Sequence, residues 1–194
     1  PTGRTAGSVL LSWTDRTRHP ACALGGMSRK QADSSRPVLT MRRGIVVALS
    51  VFMVVLDQLS KHWARNTLVQ GEAIPFVPGL LQLTLVRNTG AAFSLFRDSS
   101  TLLGGLSLVV AIGVSVWVWR EPRRGLWMGL ALGFLLGGTI GNGIDRWRLG
   151  HVTDFLELVP IQFPIFNWAD VAINLAVLCF VIDAFGNRHE QSEG

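Results

Sequence analysis

The chain predicts a mainly α membrane protein: four transmembrane helices with a small extracytoplasmic β-sheet between helices 1 and 2. Three observations carry this expectation. Apolar runs long enough to cross a bilayer recur along 194 residues that are 48% hydrophobic and only 16% charged, with a mean hydropathy of +0.36. Between the first and second runs the pattern changes to the alternation LQLTLV, punctuated by Pro75, Pro78 and Gly79, which suggests short strands. Arginines gather at one set of run ends, where they set topology.

Residues 1–40 are mostly polar, rich in Arg, Ser and Thr, and without a sustained apolar period. They are expected to form a disordered extension. They lack a long apolar stretch ending at small residues, so a cleaved signal peptide is not expected. Met27 and Met41 both read as alternative starts. The four-helix domain is expected over 41–188, followed by a polar tail over 189–194.

The first span, 44–64, follows Arg42 and Arg43 and is long enough for a bilayer core of roughly 30 Å. Asp57 and Lys61 lie four apart near its far end and share a helix face. An interfacial ion pair with a snorkelling lysine is the plain reading. That does not explain the depth of Asp57, so a functional or supporting part is expected. From about 66 to 98, short strands should lie on the membrane. Asn88-Thr-Gly90-Ala-Ala-Phe93 ends this region; Asn88 and Gly90 fit a turn as well as a site.

The second span covers 101–119 and is followed by a basic loop with Arg120, Arg123 and Arg124, where Pro122 breaks the helix. The third, 126–145, is rich in glycine, which lets helices approach closely in lipid. Asn142, Asp145 and Arg146 fall at i, i+3 and i+4 and project from one face. A loop is expected over 147–164, then a fourth span over 166–185. The arginine bias places both termini in the cytoplasm. Asp57, the Asn88 region, Asp145, Asp154 and Asp170 then share the outer boundary. Asp183 lies thirteen residues after Asp170 and belongs at the opposite end, about 20 Å away.

Composition also narrows function. The net charge is +5, but no basic face is apparent and nucleic acid is not an expected partner. Cys22 lies in a polar tail and Cys179 in an apolar helix, and no His/Cys cluster has zinc spacing. No metal, disulfide or cofactor is expected. No Ser or Cys has an evident general base; His62 reads as an interfacial residue and His151 as a surface residue. Carboxylates at a bilayer boundary are costly to desolvate and call for a functional or tightly paired explanation. Two held close share a proton, so one can take a proton from water while the other polarises a carbonyl. Asp57 has Lys61 on its face and Asp145 has Arg146 beside it, which fits fixed charges. Asp154 in VTDF has no adjacent cation, and Asp170 opens the fourth span. The favoured pair is Asp154 with Asp170; Asp145 in place of Asp154 is the main rival.

DQLSK (57–61), RNTGAAF (87–93), GGTIGNGIDR (137–146), VTDF (152–155) and FNWADVAI (166–173), in that order among four apolar spans, resemble lipoprotein signal peptidase, or signal peptidase II. The resemblance covers about 42–185. It implies a bacterial inner-membrane aspartyl endopeptidase that cuts diacylglyceryl-modified prolipoproteins just before the lipidated cysteine and is inhibited by the cyclic peptide globomycin. It implies Asp154 and Asp170 as catalytic residues. It implies Asn88, Gly90, Asn142, Asp145, Arg146 and Asn167 as residues lining or supporting the site, with Asp57 and Lys61 as a supporting pair. Partners would be the prolipoprotein and membrane lipid, and the enzyme is expected as a monomer. Two departures stand out: residues 1–40 have no counterpart, and Gly143 replaces a bulkier apolar residue. Three other readings remain open: an ion- or proton-coupled transporter using the carboxylates, a prepilin-type peptidase cutting on the cytoplasmic side, and a structural membrane protein.

Overall fold

The computed structural model describes residues 40–90, 100–161 and 163–192. The expected disordered extension, apart from Thr40, lies outside the described residues, as do Phe93 and the last two residues of the tail. Four helices are long and apolar enough to cross a membrane: α1 (Arg43–Thr67), α2 (Ser100–Arg120), α3 (Leu126–Leu149) and α4 (Trp168–Ser192). All four expected spans are present. α1 and α3 run about a turn past their expected ends, and α4 continues to Ser192.

The helices are apolar on the outside. In α1 the buried residues Val46, Ser50, Met53, Asp57, Lys61 and Ala64 recur every three or four positions and form one stripe toward the protein. Ile45, Val51, Phe52, Val55, Leu59 and Trp63 are exposed. That surface suits hydrocarbon, and the helix satisfies its backbone polar groups internally. α3 is the axis and packs against α1, α2 and α4. Hydrophobic burial gives little drive between helices in lipid, so close approach through small residues matters more. Gly129, Gly133, Gly137 and Gly141, spaced by four, meet α1 and the strand before it. An added Cβ would lie 2.6 Å from Met41 Sδ, 2.8 Å from Leu49 Cδ2, 2.7 Å from Met53 Cβ and 2.6 Å from Asp57 Oδ2 respectively. Gly138 turns to α4, where a Cβ would lie 2.5 Å from the Ala169 carbonyl oxygen. At Gly143 a Cβ would lie 3.3 Å from Ser107 Cβ, so the small residue there tightens the contact with α2.

The expected sheet is present, with strands β2 (Ala73–Val77) and β3 (Leu81–Asn88) joined through a turn where Gly79 has φ 72°. A third strand joins it. Val152–Leu158 lies in the stretch expected as a loop, and it forms β5, antiparallel to β3 in the order β2-β3-β5. Five consecutive residues of VTDFLEL are buried, the polar Thr153 and Asp154 among them, so the period-two signal that marks a half-exposed strand is missing. Gly150, at φ 73°, closes α3 and turns the chain into β5. Ala64, Leu68, Leu83, Leu85, Phe155 and Leu156 pack beneath the sheet. At the other end of the bundle, β1 (Thr40–Arg42) pairs antiparallel with β4 (Arg123–Gly125), a second sheet that the sequence pattern did not announce.

Candidate active site

The site is built where α4 begins. Asn167 precedes the helix, and its Oδ1 accepts from the Asp170 N–H at 3.0 Å. Asp170 Oδ2 accepts in return from the Asn167 N–H at 3.1 Å. This reciprocal capping box ties the Asp170 carboxylate to the helix entrance. Asp57 reaches across from α1, and its Oδ1 accepts from the Ala169 N–H at 3.0 Å. The glycine seam makes this reach possible, since a side chain at 141 would occupy the place of the Asp57 carboxylate.

Lys61 lies beneath, fully buried. Its Nζ is 2.8 Å from Asp57 Oδ2 and 3.5 Å from Asp145 Oδ2, and it donates to Asn142 Oδ1 at 2.8 Å. Asp145 has further partners: Arg65 Nη1 at 3.6 Å and the Thr153 N–H at 2.9 Å. Gln58 donates to Asp57 Oδ2, the Gly141 carbonyl and Asp145 Oδ1. Two buried carboxylates therefore face Lys61 and Arg65, and their charges balance.

Asp154 and Asp170 have a different environment. Asn167 Nδ2 donates to Asp154 Oδ1 at 2.6 Å and to Asn142 Oδ1 at 3.1 Å. Asn142 Nδ2 donates to Asp170 Oδ1 at 2.8 Å, and Asn88 Nδ2 donates to Asp154 Oδ2 at 3.0 Å. The direction of this chain is fixed by chemistry. Lys61 only donates, so Asn142 must turn its oxygen to Lys61 and its nitrogen to Asp170. All four carboxylate oxygens of Asp154 and Asp170 accept a hydrogen bond, and asparagines or a backbone N–H supply every donor.

Burial pushes the Asp154 carboxyl up to about 7, and the nearby charge of Asp170 adds to the rise. Hydrogen bonds from Asn88 and Asn167 and the charge of Lys61 oppose it. The two aspartates line one cleft of about 1130 Å³, together with Arg146, Asn88 and Gly90. Phe163, Pro164, Ile165 and Phe166 form another wall. Leu175 and Leu178 carry the cleft down the exposed face of α4. The cleft is thus polar at its head and apolar along its length.

The structure gathers every expected site residue at one end of the bundle. Asn88 both makes the turn, accepting from the Gly90 N–H at 3.0 Å, and reaches Asp154. A register shift between Leu83 and Val86 precedes it in β3, the kind of irregularity that re-aims side chains near sites. Asp183 is absent from the site; it lies near Gly125 at the far end of the bundle, as expected. Among the described residues, His62 bonds to Asn66 and His151 to the Leu149 carbonyl, and neither lines the cleft. Among the described residues, no three His, Cys, Asp or Glu side chains gather to hold a metal ion. Reading the sequence did not single out Gln58, Arg65 or Thr153. A signal for Arg65 was available, because Asp57, Lys61 and Arg65 are spaced by four and share a face.

Comparison with known proteins gives the family. Residues 49–186 match the family model described as signal peptidase (SPase) II. A lipoprotein signal peptidase of Parasynechococcus marenigrum (strain WH8102) is 53% identical over 154 residues, covering 79% of this chain and 97% of that protein. Another, from Synechococcus sp. (strain RCC307), is 55% identical over 137 residues, covering 70% and 91%. A solved structure described as a bacterial membrane enzyme aligns with a TM-score of 0.73 at 28% identity, covering 78% of this chain and 93% of its own.

Proposed function

The chain belongs to the signal peptidase II family and is a multi-pass membrane peptidase, and we propose that it is an aspartic endopeptidase acting on diacylglyceryl-modified prolipoproteins. It cleaves the signal peptide just N-terminal to the lipidated cysteine. The observation that carries this reading is the pair Asp154 and Asp170, held by amides at the polar head of a cleft whose lower wall is apolar and open along α4. The lower part suits a lipid-anchored substrate that arrives in the plane of the bilayer.

The dyad holds one proton in the neutral range and titrates as a unit. Water sits between the two carboxyl groups. The carboxylate takes a proton from the water, and the water oxygen attacks the scissile carbonyl. The protonated carboxyl, which burial favours at Asp154 up to about pH 7, donates to the carbonyl oxygen. As the tetrahedral intermediate collapses, the proton taken from water passes to the leaving amine and the proton on the former carbonyl oxygen returns to the dyad. Arg146, on the cleft wall, stabilises negative charge developing there. Phe166 pairs with Leu156 through reciprocal backbone hydrogen bonds of 2.9 Å, which pins the base of the 156–166 loop. The loop clamps the signal peptide in an extended form. Both termini are cytoplasmic, the cleft faces the other side of the inner membrane, and the enzyme works as a monomer.

The test is cleavage by the purified protein of one prolipoprotein with and without its diacylglyceryl group. Cleavage of the modified form alone, with lipidated cysteine as the new N-terminus by mass spectrometry, is expected. Failure on the modified form overturns the peptidase reading and returns attention to ion or proton transport by the carboxylates. Equal cleavage of both forms overturns the lipid requirement.

A further inference from the structure

The end of the bundle opposite the cleft carries a second charged surface. In the β1–β4 pair, Arg42 lies directly across from Arg123. Directly opposed residues of an antiparallel pair point to the same face with Cβ atoms about 5 Å apart, and like charges there repel. Both are exposed, as are Arg43 and Arg120. None of these four guanidinium groups is in a salt bridge among the described residues. The nearby carboxylates are Glu121, 4.0 Å from Arg124, and Asp183, beside Gly125. Arg124 differs from the other arginines. It is buried, and its Nη2 donates to the Trp117, Val118 and Glu121 carbonyls, so its charge closes the end of α2.

An apolar groove of about 560 Å³ runs along α2 toward this cluster. Ala111 and Ser115 supply its small residues, Ile112, Val116 and Trp119 its flanks, and Arg120 its end. The Arg43 guanidinium sits 4.9 Å from the centroid of the Trp119 ring, which fixes a cation beside the mouth of the groove. Setting topology would need arginines at this end of the helices, but it would need neither a groove ending at them nor two of them opposed on one strand pair.

We propose that this surface binds an anionic phospholipid of the adjoining leaflet, with an acyl chain in the α2 groove and the phosphate among Arg42, Arg43, Arg120 and Arg123. The phosphate relieves the Arg42–Arg123 repulsion, and the groove gives the chain a protein wall in place of other lipid. The site is separate from the catalytic cleft and does not depend on the peptidase mechanism.

The test is native mass spectrometry of the purified, delipidated full chain titrated with phosphatidylglycerol or phosphatidylcholine of the same acyl chains. The chain is expected to retain phosphatidylglycerol about tenfold better. Arg120→Gln with Arg123→Gln should reduce that preference at least about fivefold, the worth of roughly one arginine at an anionic surface. Ser115→Phe keeps every charge and fills the groove, so it should lower retention of phosphatidylglycerol while the melting temperature holds. Excess inorganic phosphate should not displace the lipid. Equal retention of the two lipids overturns the proposal. So does an unaffected Ser115→Phe variant, or displacement by phosphate alone, which would mark a simple anion site. Binding that appears only after removal of residues 1–39 makes the chain's own segment the occupant and also overturns it.

Discussion

Asp57 and Asp145 lie at the same end of the bundle as Asp154 and Asp170, and all but Asp170 are almost fully buried. The first two face the ammonium of Lys61, with Arg65 behind; the second two face Asn88, Asn142 and Asn167. A buried carboxylate beside a cation has a counter-charge in contact that offsets part of the cost of burial, which suits a structural fixture. Asp154 and Asp170, held by amides beside one another, are in no salt bridge among the described residues, and burial together with the Asp170 charge favours the protonated form of Asp154. Burial raises Asp154 first and the Asp170 charge adds to it, while the cations in contact with Asp57 and Asp145 set those two apart from the pair proposed to react. Asn142 belongs to both, since it accepts from Lys61 and donates to Asp170, so the Lys61 network orients the pair proposed to react.

Four experiments break or sharpen this contrast. The largest effect is expected for Asp154→Asn and Asp170→Asn, each of which keeps the side-chain shape but cannot share a proton. Each should cut turnover about a thousandfold or more with folding retained. Asp145→Asn should keep more activity and lose more stability. A dead, folded Asp145→Asn beside an active Asp154→Asn would show that the pair is misassigned.

Lys61→Met strands two buried carboxylates. Thermal unfolding in detergent should show a loss of roughly 3–5 kcal/mol. Adding Asp57→Asn should recover part of it. A single variant as stable as the wild type would mean that Lys61 does not hold the network.

The pH dependence of stability comes next. Asp154 is raised to about 7 in the folded chain, against 3.8 for an unperturbed aspartate. Between these values the folded state binds more protons than the unfolded state, so stability is greatest at low pH and falls as pH rises through this window. The loss is a few kcal/mol at most. Melting curves of Asp154→Asn should be flatter than wild type between pH 5 and 8. Wild-type turnover should decline above about pH 7 as the dyad loses its proton. An identical pH slope in the variant would place the titration elsewhere.

The smallest effect tests the seam that brings Asp57 to α3. Gly141→Ala puts a Cβ against Asp57 Oδ2 and should cost about 1–3 kcal/mol, with a partial loss of activity through the cap on α4. Gly105→Ala on α2, which meets nothing within 4 Å, is the control and should leave both unchanged. Equal effects from the two would mean that the seam has no special part.

The four spans and the two-stranded part of the sheet were legible in the sequence, because long apolar runs and period-two alternation are local signals. The motifs also marked the polar end of the bundle, since cation position orders the spans and brings distant carboxylates to one depth. β5 escaped because burial on both faces erased its alternation, and the β1–β4 pair escaped because three-residue strands carry no periodic signal. The amino-acid sequence by itself thus determined the four apolar spans of the described residues and which carboxylates gather at one end of the bundle. The Asp57–Lys61 pair follows from its i, i+4 spacing, but tertiary structure alone decided that Asp145 joins Lys61 and that Asp154 and Asp170 meet asparagines. That choice rests on a glycine seam, a strand register and a helix cap, contacts between residues up to 112 positions apart that no local pattern encodes.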